Sequence, residues 1–333
     1  MTRTGQYLNS ISMKTFLMRS IRFLYRKVKK PVFDGPRWCT DEERVITNQH
    51  IYRLLKNDEP VFIGRIGTTE QGTVLNYLNI VKREPIVKKL FQYIVDNIYL
   101  PWEWHKDVPD RICTCSGFFP PNNLELLAKF CQLYVDDIPL IDLCGRYCYF
   151  EKFMPFKKDV ISVQLETLYP FFVSSPWTRA LKGKKVLVIH PFSESIKIQY
   201  KKRELLFDNP DILPEFHLKT ITAVQSIANN TVPYKDWFEA LESMKTKIKQ
   251  TDFDISIIGC GAYGLPLGAY VKRIGKKAIL LAGGTQLLFG IKGKRWERYP
   301  DSCYRDMFNK QWIYPSKEEK PKDAQKIEDG CYW

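Results

Sequence analysis

A chain of 333 residues, 14% of them aromatic, has material for one large α/β domain or two small ones and is no disordered polymer. Its formal net charge of +14 favours an anionic partner: nucleic acid, acidic lipid or a phosphorylated ligand. No apolar run approaches the roughly 20 residues of a membrane span, and nine scattered cysteines without a CxxC pair argue against a zinc module and suit a reducing cytosol.

In chain order, residues 13–30 read as a basic amphipathic helix. Leu17, Ile21, Leu24 and Val28 share one face of the wheel, and Arg19, Arg22, Arg26, Lys29 and Lys30 occupy the opposite one. That pattern suits a helix lying on an anionic membrane surface, apolar side down; a helix packed on its own domain would look similar. Pro31 ends it, and a linker with Gly35-Pro36 leads to a polar helix over 40–56, where Asp41 and Glu42 meet the helix dipole. Residues 61–63 read as a buried strand, broken by Gly64-Arg-Ile-Gly67, with Thr68 as cap of a helix from about Glu70. Strands are expected at 111–115 and 139–143, around a helix at 122–135; the aromatic, proline-interrupted stretch 144–177 yields no assignment.

The second half is more regular: strand 185–189, helix 195–207, strand 218–223, and helix 237–249 with Trp237, Leu241, Met244 and Ile248 at helical spacing. Residues 254–296 then give strand, glycine turn (Gly259 to Gly264), helix, strand and a second glycine turn at Gly283-Gly284. Repeated β-α-β order predicts a doubly wound, mostly parallel Rossmann-like sheet with helices on both faces. Residues 1–39 are the amphipathic helix and linker, and 40–333 a catalytic α/β domain with halves at about 40–177 and 178–333. Trp333 is costly to leave in water, so the tail is expected to pack back on the domain.

Parallel sheets bind ligands beyond the carboxyl ends of their strands, where glycine lets backbone approach. The spacing Gly259, Gly261, Gly264 fits G-x-G-x-x-G, but no carboxylate follows before Glu297 to hold a ribose, so neither a dinucleotide nor a methyltransferase site is read here. Three polar clusters stand at strand ends. In the first, Arg65 with Gly67, Thr68 and Thr69 offers donors for phosphate, and Glu70 a carboxylate for a proton or a metal; a helix first-turn carboxylate is the plainer reading of Glu70. The second is His190 with Ser193, Gln199 and Arg203. Its histidine suits a phosphate or base, and Ser193 and Ser195 suit helix capping. The third joins Gly261, Tyr263, Gly264, Gly283, Gly284, Gln286 and Arg295, with Tyr263 placed to stack on a nucleobase or simply to pack.

The segments VFIGRIGTTEQG, CSGFF, IHPFSESIKIQYKKR, WFEALESMKTKI, the unit from Gly261 to Trp296 and the ending GCYW resemble proteins encoded in bacterial capsule and O-antigen clusters. Those proteins are similar in turn to GT-D-type glycosyltransferases. The resemblance spans residues 40 to 333 and implies transfer of a sugar from a nucleotide-sugar donor to a lipid-linked surface-glycan acceptor, by a peripheral protein on the cytoplasmic face of the membrane. Glu70 matches the Glu of that class's Asp-x-Glu motif and Arg65 its preceding arginine. Thr68 stands where the Asp would be, which puts dependence on a divalent metal (Mn or Mg) in question. Asp142, at an expected strand end, is the candidate second carboxylate. A non-catalytic membrane scaffold is the alternative. A nucleic-acid partner is not expected, because seven of the Lys and Arg residues crowd into 13–30.

Overall fold

The computed structural model describes residues 12–29, 39–96, 98–298, 303–327 and 329–333. The expected linker, with Lys30, Pro31 and Gly35-Pro36, lies outside the described residues. Seven strands form one parallel sheet: β1 (Phe62–Gly64), β2 (Leu143–Arg146), β3 (Ile161–Gln164), β4 (Lys185–His190), β5 (His217–Thr222), β6 (Ile255–Ile258) and β7 (Lys277–Leu280). Their order is β3-β2-β1-β7-β6-β4-β5. The two halves of the chain meet where β1 pairs with β7, Ile63 opposite Ile279. The architecture is Rossmann-like α/β.

The helices are α1 (Met13–Val28), α2 (Asp41–Lys56), α3 (Thr68–Val81), α4 (Ile86–Val95), α5 (Val108–Ser116), α6 (Leu124–Asp137), α7 (Ser193–Tyr200), α8 (Trp237–Lys249) and α9 (Gly264–Arg273). Short helices α10 (Gly284–Leu288), α11 (Lys294–Glu297) and α12 (Cys303–Asp306) follow. Strand side chains alternate between two cores, as the pleat requires. Phe62, Leu187, Ile189 and Ile258 join α3, α5, α6, α8 and α9 on one face. Ile63, Val186, Val188 and Ile257 join α2, α7, α10 and the C-terminal segment on the other. Trp333 is buried there, as expected of the tail. The central strands β1, β4, β6 and β7 are buried on both faces, which is why they read as continuous apolar runs.

Helix α8 matches its expected span, and α2 begins as expected, Thr40 and Glu43 forming a reciprocal capping box. Four local expectations are corrected. Residues 108–116 are helix, not strand: Pro109 sits in the first turn, Gly117 closes the end at φ 79°, and Val108, Ile112 and Ser116 are buried at helical spacing. Thr68 lies inside α3, whose cap residue is Gly67. The helix after β4 is shorter than expected, ending at Tyr200. Neither nearby serine caps it. Ser193 Oγ pairs with Thr222 Oγ1 at 2.6 Å, Ser195 Oγ donates to Glu319, and Glu319 Oε1 accepts from the backbone N–H of Glu194 at 2.9 Å.

The fourth correction moves Asp142. The strand starts at Leu143 instead of ending there, because Pro139 has no N–H for the ladder and sits in a 3₁₀ turn, Ile138–Leu140. Asp142 therefore stands at the amino end of β2, on the edge opposite the ligand crevice. It accepts from Phe62 N at 2.9 Å and pairs with Lys157 and Lys272 at 2.7 Å each. Burial raises its pKa, but the two ammonium groups outweigh that and hold it below the usual carboxylate value. Asp142 ties the strands together and is not a site carboxylate.

Candidate functional site

Strands β4 and β6 are neighbours whose connections leave in opposite directions, β4 outward to β5 and β6 inward to β7. Such a reversal opens a crevice at the strands' carboxyl ends. A cavity lies there, lined by Arg65, Gly67, Thr68, Thr69 and Glu70 after β1, His190 ending β4, Gly259 to Gly261 after β6, and Gly283 after β7. The first and last thirds of the chain thus build one wall. Gly259 is required by crowding: a Cβ there would meet Ala282 O at 2.6 Å and both His190 Cδ2 and Thr285 Oγ1 at 2.7 Å. Gly261 has φ +56°, a left-handed conformation that favours glycine.

Arg65 is the cation of the crevice. Its Nη2 donates to the Tyr147 hydroxyl, and its guanidinium lies 4.7 Å from the Tyr147 ring centroid. Burial works against its charge, but Tyr147, Tyr169, Tyr332 and Glu70 outweigh burial and keep it firmly protonated. Its buried Nε has no acceptor among the described residues. A second arginine, Arg295 of α11, donates to Tyr332 Oη at 3.1 Å and lies 4.7 Å from that ring. Arg65 and Arg295, far apart in the sequence, both line the cavity. The turn bearing Arg65 is braced from below: Tyr147 Oη donates to Ile66 O at 3.3 Å, and buried Gln71 donates to Ile66 O and Glu151 at 3.0 Å each.

Glu70 lies in the first turn of α3 and is buried. Its carboxylate folds back over Gly67, where any Cβ would collide with Oε2. Among the described residues no donor engages this carboxylate, so the plainer reading, a side chain satisfying backbone N–H groups, does not describe it. It is the one carboxylate among the described residues of the cavity wall. The α3 N-terminus opens beside it and offers unpaired backbone N–H groups and a positive dipole end.

His190 is buried, and Nδ1 accepts the Phe192 backbone N–H at 3.0 Å, which leaves the ring proton on Nε2. Burial lowers its pKa from 6.5 to about 3, so it is a neutral donor at physiological pH. As pH falls below 6.5 the unfolded chain takes the proton first, and stability declines by about 1.4 kcal/mol per pH unit towards the folded value. Between pH 7 and 5 the loss from this group is about 2 kcal/mol. Asp137, raised by burial to about 6 against the pull of Arg273, acts in the opposite sense. Urea melts of wild type and His190→Gln isolate the imidazole: the wild type is expected to lose about 2 kcal/mol more than the variant over that range. Parallel curves would show that folding does not depress the His190 pKa.

Several expected site residues are placed elsewhere. Gln199 is fully buried, donating to Gly290 O at 2.9 Å and Gln311 O at 3.0 Å. Arg203 pairs with Glu204 and Glu215 away from the cavity. Tyr263 touches the cavity wall, yet one ring face is stacked on Trp237 at 4.9 Å and its hydroxyl pairs with Ser226, so packing describes it better than nucleobase stacking. Gly264 lets α9 approach Leu280, and Gly284 lets α10 approach Tyr169; neither lines the cavity. Gln286 lines it but is held by Lys292 O at 2.9 Å and Tyr332 O at 3.3 Å, fixing the tail.

Sequence reading missed Tyr147 and Tyr332, the ring partners of Arg65 and Arg295. The aromatic density of 144–177 and the ending Cys331-Tyr-Trp333 were the available signals. No cluster of three or more His, Cys, Asp and Glu able to hold a metal occurs among the described residues. The donor set therefore does not fit an Asp-x-Glu metal site, and the positive charge of the cavity wall comes from Arg65 and Arg295. Fold and cavity together define a Rossmann-like α/β protein with a cationic strand-end cavity. No family model, curated protein or solved structure matches the chain.

Proposed function

We propose that the protein is a glycosyltransferase, moving a sugar from a nucleotide-sugar donor to a capsule- or O-antigen-type acceptor carried on lipid at the inner face of the cell membrane. The observation that carries this reading is the joint placement of Arg65, Arg295 and a single undonated carboxylate, Glu70, in one cavity at the strands' carboxyl ends. The two guanidinium groups and the α3 N-terminus suit a diphosphate, whose charge grows as the glycosidic bond breaks. Neutral His190 adds an N–H donor. Glu70 is the base that takes the acceptor hydroxyl proton as that oxygen attacks the sugar. The exposed apolar face of α1 fits a protein working beside lipid. No helix among the described residues is long and apolar enough to cross a membrane.

The test is a panel of nucleotide-sugars, nucleoside diphosphates and nucleosides in thermal melts. A ligand at 100 times its Kd stabilises by about 2.7 kcal/mol. A diphosphate-bearing ligand is expected to raise the melting temperature and a nucleoside lacking phosphates is not. If no member of the panel raises it, the non-catalytic scaffold becomes the better description.

A further inference from the structure

Two helices turn large apolar side chains outward, the reverse of what suits a protein that meets only water. A water-facing helix buries its apolar stripe and shows its charges to solvent. In α1 it is Thr15, Met18 and Arg22 that face the body. Trp102 Nε1 donates to Thr15 Oγ1 at 3.0 Å, and Arg22 donates to Ile98 O at 3.2 Å while lying 4.5 Å over the Tyr93 ring. Part of the cationic face is therefore the docked face, and Leu24 (62% exposed) and Val28 (84%) point outward. Helix α4 also shows apolar side chains outward, while Tyr93, with Leu90 and Ile94 packed beside it, makes its docked side apolar as well. Lys89 is buried, its Nζ donating to Asn79 O at 2.7 Å in the last turns of α3, while Val87 (76%) and Phe91 (61%) are exposed.

The two helices pack on each other, with Met18 and Tyr93 in a small core of their own. Neither contains an acidic residue, and α1 alone carries five Lys or Arg. Apolar outward faces on a base-rich, acid-free pair are complementary to anionic headgroups above an acyl layer. The docked faces hold both helices on the body, so little ordering remains to be done on binding.

We propose that α1 and α4 together form a two-helix platform lying in the interface of an anionic membrane, with Leu24, Val28, Val87 and Phe91 in the acyl boundary. This rests on the membrane reading of α1 given above and adds α4 as the second inserted element. Helix α3, whose N-terminus lines the cavity, is followed by α4 after residues 82–85, and its 14 residues span about 21 Å. The platform is thereby tied to the cavity by one helix and that short connection.

The experiment uses the full chain and vesicles of phosphatidylcholine alone or mixed with phosphatidylglycerol. The wild type is expected to co-sediment with the mixed vesicles and to release as salt is raised. Val87→Gln/Phe91→Gln, with α1 untouched, is expected to lower the partition coefficient on the order of 10-fold or more with an unchanged melting temperature. Phe91→Trp provides a reading that does not depend on that variant folding: the emission of the new indole shifts to the blue on mixed vesicles and is quenched by brominated acyl chains. Partition unchanged in the double variant, or an emission unmoved in Phe91→Trp, removes α4 from the platform and leaves α1 alone. A wild type that ignores both vesicles overturns the membrane surface altogether, and self-association lost in Phe91→Gln would then assign the face to a second copy of the chain. None of these results touches nucleotide-sugar binding, which the soluble thermal melts read separately.

Discussion

Glu70→Gln is expected to lower sugar transfer by about 10²–10⁴-fold, the usual contribution of a positioned general base. The amide keeps the size and hydrogen-bonding reach of the side chain and removes the capacity to accept a proton. Melting temperature should change little, because no protein donor among the described residues engages the carboxylate and the cap of α3 is Gly67, with no side-chain bond. A Glu70 that served the helix would behave in the opposite way, keeping transfer and losing roughly 1 kcal/mol of stability. Transfer rate and thermal melt on this one variant separate the two outcomes. Retained transfer removes Glu70 as base and leaves no other carboxylate among the described residues of the cavity wall to replace it.

The second large effect belongs to the arginine pair. Arg65→Lys keeps a positive charge but loses the planar fork that can hold Tyr147 and a phosphate together. Hydrogen bonds to charged groups are worth about 1.5–3 kcal/mol, so affinity for a nucleoside diphosphate should fall roughly 10- to 100-fold. Arg295→Gln should weaken the same ligand, and the two losses should not simply add, since both guanidinium groups line one cavity. Calorimetry with a diphosphate and with its parent nucleoside reads this directly. Both variants should leave the nucleoside nearly unchanged; equal losses for both ligands would mean that the arginines shape the cavity without meeting phosphate.

These expectations grew from features of very different visibility. The second half of the chain was legible because its cues are local. Continuous apolar runs mark strands buried on both faces, and glycines mark turns where backbone must pass close. Helix α8 kept its span because Trp237, Leu241, Met244 and Ile248 repeat at helical spacing and Asp236 caps it through Glu239 N. Arg65 and Glu70 were legible for the same reason. One strand and one glycine turn place them at a carboxyl end, and parallel sheets gather their ligands there.

What failed had competing local signals. The segment 108–116 carries Ile and paired cysteines that suit a strand, but helix ends set by Pro109 and Gly117 decided it. Asp142 was misplaced because one proline moved the start of β2 by a few residues, and in a strand that shift exchanges one end of the sheet for the other. The direction of α1 was beyond sequence as well. A wheel shows that two faces differ, while only its neighbours Trp102, Ile98 and Tyr93 decide which face is docked.

By itself, then, the sequence determined the parallel α/β architecture, the glycine turns and the candidacy of Arg65 and Glu70, since each depends on residues within one β-α-β unit. The tertiary structure alone decided the rest. It brought Arg295 and Tyr332 to the cavity that Arg65 lines, set Arg65 over Tyr147 and Arg295 over Tyr332, gave Gln199 and Tyr263 to the core and turned apolar side chains of α1 and α4 outward. Those outcomes depend on contacts between residues far apart in sequence, as from Gln199 to Gln311, 112 positions apart, and no periodicity or spacing within a segment encodes which distant surface it will meet.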